Sequence, residues 1–525
     1  MPHINPVLCT ALGAVLSYYW LFPLFRSGAI SINLLLVLFF IPVSFLCFLR
    51  VLESFPILVE EKPETNRQLL TRQLRLPRFF WNPQLLILWT TAFSAGLAVG
   101  IAVSTRISDT VNFGIPEDTV LGISGTLLDD PRVISNGKAM SALSLKMSIG
   151  NNGVRATANG QITVFFPEES AGRLKEFGRG TNISAEGELR PNAGTGGSGL
   201  NSFGKYTFTA KSLHITKTAP PLERFRTGLR LGLTGRFSDS HGTGAWGGLS
   251  LALLLGIRDN LDTGFASLYR NAGCSYILAL SGMHLAIIVS LISFLLKKPL
   301  GLRLSVIAGA VIIIAYCFIV GPLPSLNRAA LMYLLGVIAI LGMFKRDMLS
   351  LLCLAFLLQI FVTPSSGFSL SFILSYLALA GILVIGKGIN GALMGIIPAV
   401  LLQPLSASLG AFIATAGVSA WFFTDIRPIG ILAGLALAPL ATVFMVLSIM
   451  WLCLDLITPF LSFLPGKILS LLYLLMEKTA TLAAVAPGVN ANPFLIILLS
   501  LLITSTILWL DWRRRVIAGR LEPFA

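Results

Sequence analysis

Charge is scarce in this chain. Charged residues make up 12% of its 525 positions, against the roughly 25% usual in soluble globular domains, and that shortage excludes an ordinary soluble domain. Histidine is scarcer still: His3, His214, His241 and His284 are scattered. The clustered ligands of a metal-dependent phosphodiesterase are therefore missing, and a lone histidine without Cys, Asp or Glu nearby makes a poor metal site. The six cysteines (Cys9, Cys47, Cys274, Cys317, Cys353 and Cys453) all fall in apolar runs, and none belongs to a CxxC pair. That pattern argues against a disulfide framework and against a structural zinc. No nucleophile–base pair, Walker-type lysine motif or carboxylate pair stands out, so no catalytic residue, metal or other cofactor is expected.

What is abundant is apolar length. Hydrophobic residues account for 54% of the chain, gathered in repeated runs long enough to cross a bilayer. Leu8 to Phe25 is such a run. No basic segment precedes it and no small-residue cleavage site is clear, so it is expected to be a permanent first span. Two more are expected near 29–51 and 84–103. Others are expected at 272–296, 304–321, 327–343, 348–363, 368–386, 392–423, 428–454, 468–487 and 493–510. Segment 392–423 contains Pro398, Gln403, Pro404, Gly410 and Gly417 and reads as one broken crossing. Broken helices mark substrate sites in transporters, and ordinary proline kinks look the same in sequence.

The net charge is +15. Positive-inside bias accounts for it in part or whole; an anionic solute or nucleic acid is the other source. The loop from Glu53 to Pro83 holds Lys62, Arg67, Arg72, Arg75 and Arg78 and is expected on the cytoplasmic side, as are both termini.

Residues 104–240 contain no spanning run. Short alternating segments at 121–128, 142–149, 161–166, 182–189 and 206–215 are separated by Gly, Asn and Pro clusters, which predicts five short strands and a small barrel of the OB type. The expected fold is a polytopic α-helical membrane protein with an inserted small extracytoplasmic all-β (OB-like) domain, divided 1–103, 104–240 and 241–525. Stacking of bases on such a barrel would use aromatics. Phe203, Lys205 and Tyr206, next to the flexible run Gly194 to Asn201, are the DNA-binding candidates. Phe165, Phe166 and Phe208 are also available, although some of these rings must fill the core.

The most informative stretch is Cys274 to Leu296. It is apolar and of membrane length, yet Ser281, Gly282 and His284 lie inside it. Polar groups at membrane depth are costly unless they face protein, water or a passing solute. His284 has three readings: proton sensing, solute binding, or a hydrogen bond to a neighbouring helix. Asn327 and Arg328 open another span, where an arginine either snorkels or meets a phosphate. Between residue 272 and Asp455 the only acidic residues are Asp347 and Asp425. That scarcity suits an anion path and suits a neutral helix bundle equally.

Four ordered blocks carry a resemblance. They are Leu253 to Leu261, Tyr269 to Ala286 (with Leu280-Ser-Gly-Met-His284 at its centre), Pro324-Ser-Leu-Asn-Arg-Ala-Ala-Leu-Met332, and Pro364-Ser-Ser-Gly-Phe-Ser-Leu-Ser-Phe372 with its continuation to Leu377. Together they resemble the ComEC/Rec2 family of bacterial competence proteins, whose members form an inner-membrane channel for DNA uptake. The resemblance implies passage of single-stranded DNA into the cytoplasm, with Ser281, Gly282, His284, Asn327, Arg328, Ser369 and Ser371 as channel candidates. It also implies as partners the lipid bilayer, a DNA receptor outside and a cytoplasmic translocase. Many family members continue into a metallo-β-lactamase-like domain. This chain resembles a short form without it, so a separate nuclease is expected. Leu285-Ala286 and Ser369 depart from the family pattern. Transport of another anionic solute or envelope precursor, and a non-transporting membrane scaffold, are the other readings.

Overall fold

A computed structural model describes residues 6–21, 83–104, 111–133, 138–191, 206–238, 244–321, 323–344, 347–423, 425–489 and 492–521. The expected span at 29–51 and the basic loop after it lie outside the described residues. In chain order the helices are α1 (Pro6–Leu16), α2 (Pro83–Ser104), α3 (Glu168–Phe177), α4 (Pro221–Arg236), α5 (Gly244–Leu255) and α6 (Thr263–Asn271). They continue with α7 (Ser275–Leu278), α8 (Gly282–Val320), α9 (Pro324–Leu341), α10 (Met348–Val362) and α11 (Leu370–Gly381). The last are α12 (Lys387–Leu393), α13 (Ala399–Phe422), α14 (Gly430–Ile457), α15 (Phe463–Ala484) and α16 (Pro493–Leu521). Among the described residues seven segments are long and apolar enough to cross a membrane: Gly282–Pro299, Gly301–Val320, Pro324–Leu341, Leu370–Leu393, Ala399–Phe422, Gly430–Ile457 and Phe460–Ala484.

The chain divides into two compact units. One consists of residues Met1–Ile107 with Lys345–Gly367. Within it α1 packs on α2 through small residues. A Cβ at Gly96 would lie 1.9 Å from the Thr10 carbonyl oxygen, and one at Gly13 would lie 2.2 Å from that of Phe93. Such backbone approach is how helices associate where lipid removes the hydrophobic drive. Helix α10 belongs to this unit. Tyr19 Oη donates to the Gly367 carbonyl at 2.6 Å, and Tyr18 Oη donates to that of Pro364.

The second unit holds a β-barrel and the remaining helices. Its strands are β1 (Val120–Leu127), β2 (Arg132–Val133), β3 (Ala139–Gly150), β4 (Arg155–Thr157), β5 (Gln161–Phe166), β6 (Asn182–Pro191) and β7 (Tyr206–Lys217). The order β1-β6-β7-β5-β3 closes on itself because β1 also pairs with β3; only β5–β7 is parallel. Closure removes the sheet edges. The five expected strands are the five barrel strands, and α3 between β5 and β6 completes an OB-like arrangement. Strand β1 slips register between Ser124 and Gly125, and β6 between Glu186 and Gly187. A Cβ at Gly125 would sit 2.1 Å from the Ser144 carbonyl oxygen and one at Gly187 2.0 Å from that of Thr209, so glycine is required where the strands bend. Phe113, Ile123, Leu143, Val164, Phe166, Ile183 and Phe208 fill the interior, and Leu174 of α3 joins them.

The helical part of this unit has its own core, with Trp246 edge-on to Trp451 at 5.2 Å and Phe265 stacked on Tyr473 at 4.7 Å. One backbone feature differs from expectation. The run 272–296 is not one helix: α7 ends at Leu278, Ala279 is extended, and α8 starts afresh at Gly282. The break expected within 392–423 is present near its start, at Met394–Pro398, where Gly395 has a φ of +87°. Pro404 then lies inside an otherwise continuous helix.

Candidate functional site

The break before α8 organises the polar residues of the membrane part. Ser281 is the N-cap, in extended conformation. Its backbone N–H donates to His284 Nδ1 at 3.0 Å, and its hydroxyl lies 3.1 Å from the same nitrogen. His284 thus takes the place that Glu or Gln holds in a capping box. An amide can only donate, so Nδ1 accepts and the ring proton resides on Nε2. His284 is 1% exposed, and its Nε2 has no hydrogen-bond partner among the described residues. The first N–H groups of any helix lack intrahelical acceptors. Here those of His284 and Leu285 reach the Ser281 carbonyl, leaving the Gly282 and Met283 amides without a protein acceptor among the described residues.

Helix α9 supplies the neighbouring charge. Arg328, one turn into it, is 8% exposed. Its Nη1 donates to the Ser375 carbonyl of α11, its guanidinium lies 5.7 Å from the centre of the Tyr376 ring, and its Nε has no partner among the described residues. A Cβ at Gly282 would lie 3.4 Å from Arg328 Nη2 and 3.2 Å from Ala329 Cβ, so a glycine lets the guanidinium reach the start of α8. No carboxylate pairs with Arg328 among the described residues. At the start of α11, Ser369 is the N-cap and accepts from the Phe372 amide at 3.3 Å. Exposed Ser371 places its hydroxyl 3.4 Å from that of Ser325 on the first turn of α9. Asn327 is half-buried on that turn.

The starts of α8, α9 and α11 therefore meet, and with them the channel candidates read from three separate blocks of sequence. Arg258 adds a fourth link, donating to the Leu278 carbonyl at 3.1 Å, immediately before the break.

The barrel candidates divide differently. Phe203 and Lys205 lie outside the described residues. Tyr206 packs edge-on to Phe113 at 5.8 Å, and its hydroxyl donates to the Glu117 carboxylate. Phe166 and Phe208 are buried in the barrel core, and Phe165 is half-buried. Among the described residues no group of three or more His, Cys, Asp or Glu is placed to hold a metal ion.

One polar cluster escaped the sequence reading. Asp130, in the loop after β1, accepts from Arg226 of α4, and Arg230 Nε lies 3.5 Å from the same carboxylate. Burial pushes the Asp130 carboxyl up, but the Arg226 hydrogen bond and the charges of Arg230 and Arg226 outweigh it. The net effect holds the group below the usual carboxylate range. The run of four arginines at 224, 226, 230 and 236, beside the end of the β region, was the available signal.

Fold and site together define a multi-pass membrane protein with an OB-like barrel. The chain matches the Competence protein family over residues 253–515, half of its length, and belongs to that family. Membership supports a role related to DNA uptake. An uncharacterized protein of Aquifex aeolicus (strain VF5) is 30% identical over 223 residues, covering 42% of this chain and 50% of that one. The chain thus spans about half the length of the curated relative it matches. No solved structure matches.

Proposed function

We propose that this protein conducts single-stranded DNA across the bacterial inner membrane into the cytoplasm. Both termini are cytoplasmic and the barrel is outside in this reading. The observation that supports it best is the junction of α8, α9 and α11. Three family blocks converge there on a buried arginine without an acidic partner among the described residues, beside a helix start whose first amides have no protein acceptor among them. A phosphate chain crossing a membrane requires a path that is not negative, and the scarcity of acidic residues between 272 and 454 meets that requirement. The driving force comes from a cytoplasmic translocase. A receptor outside delivers the strand, and a separate nuclease removes its complement.

The test is uptake of labelled DNA by competent cells with and without the gene, scoring DNA outside the inner membrane separately from DNA in the cytoplasm. The deletion is expected to accumulate DNA outside and to block cytoplasmic entry. Unchanged entry would reject the proposal.

A further inference from the structure

Arg328 sits where electrostatics disfavours it. The start of a helix carries partial positive charge, and a cation there is repelled unless an anion intervenes. Arg328 Nη2 nevertheless comes within 3.4 Å of the Cβ position of Gly282, the first residue of α8. The side chain is more than nine-tenths buried, its Nε is unsatisfied, and no carboxylate neutralises it among the described residues. Beside it the half-buried Gly282 and Met283 amides, like the first amides of any helix, have no protein acceptor among the described residues. A buried donor without a partner, as Arg328 Nε is, is costly. The guanidinium and the two amides, on two helices, together suit an acceptor-only group of negative charge. Helix N-termini and arginine are the two protein elements that bind phosphate oxygens most readily.

We infer that the junction between the start of α8 and Arg328 is a site for a single phosphodiester oxyanion, held by the Gly282 and Met283 amides and the Arg328 guanidinium. The inference rests on the transport reading above for its ligand, one backbone phosphate of the passing strand. Nη1 is already committed to the Ser375 carbonyl, so the guanidinium is anchored at one corner and offers Nη2 and Nε to the phosphate. A methyl group at position 282 would touch Arg328 Nη2 at 3.4 Å and press on Ala329 Cβ at 3.2 Å, and so would crowd the edge of the guanidinium offered to the phosphate.

The test uses the full chain in maltoside micelles, which contain no phosphate, and a short oligothymidylate as probe. Arg328→Gln is expected to weaken binding on the order of tenfold, the loss of one charge-assisted contact. Gly282→Ala, which removes no charge, is expected to weaken it in the same direction and guards against misfolding of the arginine variant. An oligothymidylate with a neutral methylphosphonate backbone is expected to bind wild type and variants alike. Equal affinity of wild type and both monodisperse variants for the charged strand overturns the site.

A lipid headgroup is the other source of the same chemistry. If Arg328→Gln loses co-purifying phosphatidylglycerol while its strand affinity is unchanged, the phosphate is a lipid's and the nucleic-acid assignment is overturned. The two readings also fail separately. Arg328-dependent strand binding with normal DNA entry in the deletion strain rejects transport and keeps the site. Blocked entry with no Arg328 effect on binding rejects the site and keeps transport.

Discussion

Arg226 and Asp130 form a two-pronged ion pair, with Nη1 3.1 Å from Oδ1 and Nη2 2.5 Å from Oδ2. Asp130 belongs to the barrel, whereas Arg226 belongs to α4. Arg226 Nε donates to the Phe318 carbonyl at 2.8 Å. Arg230 reinforces the joint by donating to the Ile319 and Val320 carbonyls at 3.0 and 2.7 Å. The last carbonyls of a helix have no intrahelical donors, and cations are favoured there. Two arginines thus cap the end of α8 and hold the barrel to it, only a short connection from α9 and Arg328.

Breaking this pair should loosen the barrel from the helices. Arg226 is 2% exposed in its side chain and also pairs with Glu223 at 3.2 Å, so losing Asp130 is expected to cost less than the roughly 3–5 kcal/mol of a buried charge left unpaired. Asp130→Ala is expected to lower the thermal midpoint of the full chain and to speed proteolysis between the barrel and α5. Hydrogen exchange of residues 218–238 is the local readout. If exchange there is unchanged, the pair does not hold the joint.

The same pair sets a pH dependence. The Asp130 carboxyl is held below its usual range in the folded protein, so its contribution is fully present above the unfolded value of about 3.9. It is lost as pH falls through the lowered folded value. Wild type is therefore expected to lose stability relative to Asp130→Asn on acidification below about pH 4, with a constant difference between the two above about pH 5. Parallel melting curves throughout the acid range would remove Asp130 from the account.

His284 allows the cap and the path to be separated. His284→Leu removes the acceptor for the Ser281 amide and is expected to cost about 1 kcal/mol, seen as a small drop in midpoint, and to abolish DNA entry. His284→Gln supplies an acceptor of the kind a capping box uses. It is expected to restore the midpoint without restoring entry, because its amide NH2 is carried on a flexible chain and is not held where the rigid imidazole fixes the Nε2 donor. Full entry with Gln would reduce His284 to a helix cap.

Binding of a single strand to the full chain should weaken with salt. Each phosphate neutralised contributes about −0.7 to the slope of log affinity against log salt. Arg328→Gln is expected to reduce the magnitude of that slope by somewhat less than one. A slope of zero for wild type would argue that phosphates are not what the protein holds.

Much of this architecture is legible from local pattern. Alternation revealed all five barrel strands because each needs one buried face, and length with hydropathy located the spans of α9 and α14 to within a few residues. Helix α3 was missed because it is short and polar, with Leu174 as its buried anchor. The break before α8 was missed because hydropathy counts side chains and ignores the backbone. A serine followed three positions later by a side-chain acceptor is a helix-start signature, but histidine in place of Glu or Gln concealed it. The Arg226–Asp130 pair joins residues 96 positions apart, and no local pattern contains it.

The sequence by itself determined the class of protein, the five barrel strands and the scarcity of acid around its central spans. Those properties follow from composition and short-range period, which any segment displays alone. Only the tertiary structure decided that Gly282, Arg328 and Ser375 meet, that α10 joins α1 and α2, and that α4 fastens the barrel to the end of α8. Such contacts depend on how helices cross and how a barrel closes, and therefore on the packing of surfaces distant along the chain.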